Sequence, residues 1–305
     1  MRLGMIGLGR MGANMVRRLR GGGIEVVGFD LDSRVVTELA DECGMLAGES
    51  VPHVVAQLDS LPVIWLMLPA GVVTQQSVDE LANILPRGAI LVDGANSNFH
   101  DSMRCAAMLS EHGIEFVDAG VSGGIWGLDE GYALMVGGTP GAVEILRPVF
   151  EVLAPTPESG WLRCGSAGSG HFVKMVHNGI EYGMMQAYAE GFSLMKSRDD
   201  FDIDVAAVAE MWRHGSVVRS WLLDLTASFL TEDQRLDDVD PFVADSGPGR
   251  WAAIEAMEQG VPLPVISTAI TMRLASQGNS DYASKLLAMM RSGFGGHAVK
   301  KTDEP

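Results

Sequence analysis

In the first half of the chain, apolar residues come in short blocks closed by glycine, proline or asparagine. The blocks Arg2–Gly7, Glu25–Phe29, Pro62–Leu68, Ala89–Val92, Ile114–Asp118 and Tyr132–Val136 predict buried strands, with a short one near Trp161. Between them the apolar period lengthens to that of amphipathic helices: one running through Leu19, then Ser33–Asp41, Val72–Leu85, Phe99–His112 and Pro140–Val152. Alternation of this kind predicts an α/β domain, a Rossmann-type doubly wound parallel sheet over residues 1–165. From residue 166 to 305 the pattern is helical throughout. A long helix Ser166–Lys196 is followed by Val205–His214, Val217–Ser228, Arg250–Gln259, Leu263–Ser276 and Asp281–Arg291, an all-helical C-terminal domain.

The long helix has an unusual polar pattern. Lys174, His177, Asn178, Glu181 and Tyr182 fall at i, i+3, i+4, i+7 and i+8, so they share one stripe. An ammonium, an imidazole, an amide, a carboxyl and a phenol stand where a core-facing stripe is ordinarily apolar. Two turns separate Lys174 from Glu181, a rise of about 10.5 Å, roughly the length of a small sugar acid. A solvated face is the simplest explanation of such a stripe. The helix, however, continues into the apolar MMQAYAEGFSLM, which predicts deep burial of its second half, with the stripe facing a polar cleft. Gly170, Gly179 and Gly183 each cost about 1 kcal/mol in a helix interior, which points to close packing or ligand approach.

The first strand runs directly into Gly7-Leu8-Gly9-Arg10-Met11-Gly12 and a helix, the context a dinucleotide fingerprint requires. Gly7 permits the turn, Gly9 lets main-chain N–H groups approach a pyrophosphate, and Gly12 allows the helix to pack on the strand. The second strand ends at Asp30, placed to accept hydrogen bonds from ribose hydroxyls and to repel a 2′-phosphate. Leu31 follows where an NADP enzyme favours arginine, and Asp32 adds negative charge, so the expected cofactor is NAD rather than NADP. Three further strand ends carry loops: Pro69-Ala70-Gly71, Asp93-Gly94-Ala95-Asn96-Ser97 and Gly120-Val121-Ser122-Gly123-Gly124. Any one alone reads as turn chemistry; three in succession predict a site, with Leu68, Pro69, Ala70 and Asn96 toward the dinucleotide.

Composition narrows the function classes. The net charge of −17 disfavours nucleic acid and anionic membranes as partners. From Thr271 onward the balance is +2, leaving −19 for the rest, a basic tail that fits a phosphate or carboxylate site and equally a solvated helix end. Cys43, Cys105 and Cys164 form no CxxC, which fits a reducing, cytoplasmic setting and gives no support to a metal site. No run approaches the ~18 apolar residues of a membrane span, and the N-terminal apolar run lacks a signal-peptide cleavage site.

With these pieces in order the sequence resembles the 6-phosphogluconate dehydrogenases, within the wider β-hydroxyacid dehydrogenase family, in their short NAD-linked bacterial form. The resemblance runs from Met1 to Lys300. It rests on GLGRMG (Gly7–Gly12), DGANS (Asp93–Ser97), GVSGG (Gly120–Gly124), KMVHNGIEYGMMQ (Lys174–Gln186), GRWAAIEA (Gly249–Ala256) and RSGFGGH (Arg291–His297). It implies oxidative decarboxylation of a phosphorylated sugar acid, with Lys174 as general base and Glu181 as general acid. It also implies that Asn96, Ser122, Gly123, Gly124, His177 and Asn178 surround the acid and hydroxyl end. Tyr182, Arg273, Arg291 and His297 would hold the phosphate, the last two reaching from a second subunit of a dimer or tetramer. A departure lies before the tryptophan-containing helix. Ser246 and Pro248 stand where long-form members have a lysine and a threonine, with Arg250 a nearby replacement. A non-decarboxylating β-hydroxyacid dehydrogenase or imine reductase would keep Lys174 without needing Glu181. A non-catalytic NAD-sensing protein would need neither.

Overall fold

The computed structural model describes residues 1–279 and 281–295. Two compact units divide the chain at His177/Asn178. The first holds β1 (Arg2–Ile6), α1 (Arg10–Gly21), β2 (Glu25–Phe29), α2 (Ser33–Cys43), β3 (Leu46–Ala47), α3 (Val51–Ala56), β4 (Val63–Leu66) and α4 (Val72–Ile84). It continues with β5 (Ile90–Asp93), α5 (Phe99–Glu111), β6 (Glu115–Ser122), α6 (Gly127–Glu130), β7 (Ala133–Gly137), α7 (Pro140–Leu153) and β8 (Trp161–Gly165). Helix α8 (Ser169–Lys196) begins in this unit and crosses the division.

The strands form one sheet in the order β3-β2-β1-β4-β5-β6-β7-β8. The chain reverses direction across the sheet between β1 and β4, which puts a topological switch point beside the Gly7–Gly12 loop. Strand period 2 sends alternate residues into two cores. Met5, Val26, Trp65, Val92 and Val117 join helices α1, α2 and α7 on one face. Ile6, Val27, Ile64, Leu91 and Phe116 join α3, α4 and α5 on the other. Buried on both sides, the strands carry near-continuous apolar runs, which is why they were legible as blocks.

The sheet departs from the all-parallel expectation at β7, which pairs antiparallel with β6. The connection from Gly123 to Tyr132 is shorter than the dozen or so residues of a parallel crossover, so the chain returns as a hairpin. That pairing extends β6 beyond Asp118. Gly120, Val121 and Ser122, expected in a loop, are strand residues facing Met135, Leu134 and Ala133. The short elements β3 and α3 were not anticipated; α3 starts where the Ser50 hydroxyl accepts from His53 N at 3.2 Å.

The second unit is helical: the rest of α8, then α9 (Val205–Trp212), α10 (Trp221–Glu232), α11 (Pro248–Glu258), α12 (Pro264–Leu274) and α13 (Asp281–Gly295). Tyr188, Phe192 and Met195 of α8 pack on the core of α9 and α10, around Ala209, Leu223 and Ala227. The rest of the second half of α8 is less buried than its composition suggests: Met184 and Met185 are exposed, and Leu194 is 73% exposed. Helix α10 opens later than expected because the Ser220 hydroxyl accepts from Leu223 N at 3.1 Å, leaving Val217 outside the helix and exposed. Among the described residues no helix is long and apolar enough to cross a membrane.

Candidate active site

The dinucleotide loop is built by close backbone approach. Gly7 has φ +93°, and its N–H donates to Phe29 O at 2.9 Å. A Cβ on Gly12 would lie 2.1 Å from the Gly7 carbonyl oxygen, so only glycine lets α1 sit on the end of β1. A Cβ on Gly9 would meet nothing within 4 Å, the open side on which a ligand can approach. Helix α1 opens at Arg10, before the third glycine, and has no side-chain cap at Gly9. Its first N–H groups and positive dipole end therefore remain available to an anion. Leu8 is buried, with Arg10 exposed and Met11 half-buried.

Asp30 closes this loop from β2. Its Oδ2 accepts from Leu8 N at 2.7 Å and its Oδ1 from Asp32 N at 2.9 Å. A carboxylate offers about four acceptor sites, so both oxygens keep a lone pair for sugar hydroxyls. The nearby guanidinium of Arg34 is held by Asp32, Nε to Oδ1 at 3.0 Å and Nη2 to Oδ2 at 2.8 Å. That pair holds the Asp32 carboxyl below its usual range. These residues fit a nicotinamide dinucleotide. The next strand ends present exposed Pro69 and Ala70 beside half-buried Leu68, and exposed Asn96. Asp93 turns its own loop by accepting from Ala95 N at 2.9 Å, and burial pushes its carboxyl above the usual range.

On the neighbouring strand β6, the carboxyl end and the first turns of α8 meet residue by residue. Asp118, Gly120 and Ser122 alternate along one face of the strand. Asp118 is fully buried; its Oδ1 accepts from Gly168 N at 2.6 Å and its Oδ2 from His171 N at 2.8 Å. A Cβ on Gly120 would fall 2.4 Å from the Cβ of Lys174, so the lysine stem lies directly against bare strand backbone. The Ser122 hydroxyl lies 3.3 Å from His177 Nε2. His171, also buried, reaches α5 through its Nδ1, 2.7 Å from Ser102 Oγ. Phe172 packs edge-to-face on Phe99, ring centroids 5.2 Å apart.

The usual amphipathic arrangement is inverted here. His171 and Lys174 are buried, whereas Val173 and Val176 are exposed, as are Ile180 and Met184 further along. Gly123 (φ +142°) and Gly124 (φ +53°) turn the chain away just beyond Ser122. Burial pushes the Cys105 thiol up to about 11, away from the thiolate form.

Within the second unit, Tyr182 is buried against Ala269 and Ile270. The Arg273 guanidinium carbon lies 3.7 Å from the Tyr182 ring centroid, and Arg273 Nη1 donates to Ala244 O at 2.9 Å. The Tyr182 hydroxyl lies 3.1 Å from Ser246 Oγ. Arg250 pairs with Asp245, Nε to Oδ2 at 3.1 Å, so it is not a free replacement for a phosphate-binding lysine. Asn178 and Glu181 are half-buried on α8. Arg291 is exposed on α13, and His297 lies outside the described residues.

Sequence reasoning passed over Asp118, His171 and Ser102. The available signal was a carboxylate closing the strand block Ile114–Asp118, two residues before the Gly120–Gly124 motif.

A family profile for the NAD binding domain of 6-phosphogluconate dehydrogenase matches residues 2–165, and one for that enzyme's C-terminal domain matches residues 170–304. An NAD(+)-dependent, decarboxylating 6-phosphogluconate dehydrogenase of Haloferax volcanii is 43% identical over 305 residues, covering 100% of both chains. Protein YqeC of Bacillus subtilis is 38% identical over 301 residues, 99% of this chain and 100% of that one. Among solved structures, Plasmodium falciparum 6-phosphogluconate dehydrogenase, described with its cofactor NADP+ and its substrate 6-phosphogluconate, superposes with a TM-score of 0.84. Its identity is 26%, over 100% of this chain and 67% of the other. With both halves matched in order and a relative of equal length above two-fifths identity, the chain belongs to the 6-phosphogluconate dehydrogenase family.

Proposed function

We propose that this protein is a cytoplasmic, NAD-dependent, decarboxylating 6-phosphogluconate dehydrogenase. The observation that carries the reading is the inverted start of α8, which buries Lys174 against Gly120 with Glu181 two turns further along the same helix. Family membership supports the reaction class. The preference for NAD is supported by Asp30, by the capture of Arg34 by Asp32, and by the NAD(+)-dependent Haloferax relative.

In this reading the dinucleotide, bound at the Gly7–Gly12 loop, supplies the acceptor for the two electrons and hydrogen leaving C3 of the sugar acid. The Lys174 amine takes the C3 hydroxyl proton; burial is the condition under which a lysine can work near neutral pH. The resulting β-keto acid breaks its C1–C2 bond, releasing CO2 and leaving the electron pair delocalised onto the C3 oxygen. Lys174, now an ammonium, hydrogen-bonds that oxygen and stabilises the enolate. Glu181 delivers a proton to C2, which becomes C1 of ribulose 5-phosphate. Asn96, Ser122, Gly123, Gly124, His177 and Asn178 orient the carboxylate and hydroxyls. Tyr182 and Arg273 hold the phosphate, with Arg291 and His297 added from a second copy. A homo-oligomer, a dimer or tetramer, would also cover the apolar stripe Val173, Val176, Ile180 and Met184.

The test is turnover of 6-phosphogluconate with NAD and, separately, NADP, with evolved CO2 trapped. NAD reduction with one CO2 per turnover is expected. NAD reduction without CO2 would make the protein a simple hydroxyacid dehydrogenase, and a higher kcat/KM with NADP would overturn the cofactor assignment.

A further inference from the structure

The start of α8 is capped in an unusual way. An N-cap side chain ordinarily accepts from the N–H two or three residues on. The residue before Ser169 is Gly168, at φ +93°, which brings no side chain. The acceptor comes instead from across the fold, where Asp118 of β6 takes both Gly168 N (2.6 Å) and His171 N (2.8 Å). A local cap would stabilise the helix wherever it lay. A cap borrowed from the sheet also fixes where the helix starts along β6.

The surrounding contacts make that register narrow. A Cβ on Gly170 would be 2.4 Å from Met135 O and 2.6 Å from Asp118 O, so the helix backbone rests directly on two strands. Ser102 holds the His171 ring from α5. One turn beyond His171 comes Lys174, over Gly120, the next residue on the same face of β6 as Asp118. Displacing the first turn therefore displaces the lysine amine.

We infer that Asp118 is a positioning residue for proton removal: its carboxylate locks α8 to β6 and so sets where Lys174 stands. The inference rests on the assignment of Lys174 as the base. The negative charge is met by main-chain N–H groups at the positive end of the helix dipole, which suits a carboxylate and not its amide. Misplacing a catalytic group by about 1 Å can cost on the order of 10²-fold in rate.

The experiment compares Asp118→Asn, Asp118→Glu and Lys174→Ala in the full chain. Each is titrated with NAD to count binding-competent sites, then assayed with 6-phosphogluconate carrying hydrogen or deuterium at C3. Asp118→Glu keeps the charge but moves the carboxylate by one methylene, and it decides the question if Asp118→Asn fails to fold. The expected result is parental NAD affinity, KM for the acid within about threefold, and kcat per competent site lowered about 10- to 100-fold. The deuterium isotope effect on kcat should rise, because the misplaced base slows the chemical step. A lower melting temperature with kcat per competent site within twofold and an unchanged isotope effect would reduce Asp118 to a stability cap. Inactive Lys174→Ala beside fully active Asp118 variants would overturn this inference alone. Active Lys174→Ala would overturn both it and the assignment of the base.

Discussion

The two stretches of α8 on either side of His177 solve opposite problems. From Ser169 to His177 the helix buries charged and polar groups, held to β6 by Asp118, Gly120 and Ser122, and turns valines outward. From Tyr188 to Lys196 it packs a half-buried aromatic and methionine face, Tyr188, Phe192 and Met195, and leaves Leu194 exposed. The first stretch is organised by directional bonds whose loss leaves buried groups unsatisfied. The second depends on area and tolerates more. One helix can thus carry a precise site at one end and an ordinary core at the other.

The first stretch is most sensitive at Lys174. Replacing it with alanine should lower kcat by about 10³-fold while NAD affinity, read by fluorescence titration, stays within about twofold. Gly120→Ala comes next. Its new Cβ collides with the lysine stem, so turnover should fall about 10²-fold and thermal unfolding should show a loss of about 1–3 kcal/mol. The Tyr182–Arg273 pair should respond in binding rather than in chemistry. Arg273→Ala is expected to raise KM for 6-phosphogluconate about 10- to 100-fold, consistent with losing a charge-assisted bond, with kcat within a few-fold. Steady-state kinetics with a non-phosphorylated hydroxy acid, insensitive to the same change, would sharpen the contrast.

The smallest effect concerns the partner of Asp118 across the sheet. Asp93 pairs with Asp118 in the β5–β6 register, yet burial raises its carboxyl above the usual range. The unfolded chain gives up this proton near pH 4, before the folded one does. Its contribution to stability is therefore whole below about pH 4 and declines as pH rises through the raised folded value. Asp93→Asn, which keeps an acceptor for Ala95 N, should leave the melting temperature at neutral pH equal or higher. It should also flatten the melting temperature's decline with pH above about pH 4, measured by calorimetry across a pH series.

How much could be read in advance follows from how local each feature is. The Gly7–Gly12 turn and Asp30 were legible because their geometry is set by neighbours in sequence and by one adjacent strand. The length of β6 was not, because its last three residues owe their strand geometry to β7 on the far side of a hairpin. Polar periodicity picked out the stripe from Lys174 to Tyr182. It could not tell which turns of α8 the rest of the molecule covers, and composition misjudged the exposure of Met184 and Leu194. Asp118 was invisible as a cap because its acceptor role joins residues 50 and 53 positions apart. In the second unit, the pairing of Arg250 with Asp245 depends on a loop geometry that spacing along the chain does not reveal.

The alternation of Asp118, Gly120 and Ser122 bears on how this gene can change length. Within β6 before Gly120, deleting one residue would set Val121, and inserting one would set Ala119, where Gly120 now admits the lysine, with every later side chain turned to the opposite face. Strand β6 cannot take a shift in frame without losing that seat. The turn from Gly124 to Gly131 beyond it stands outside that alternation, and length variation is expected to collect there.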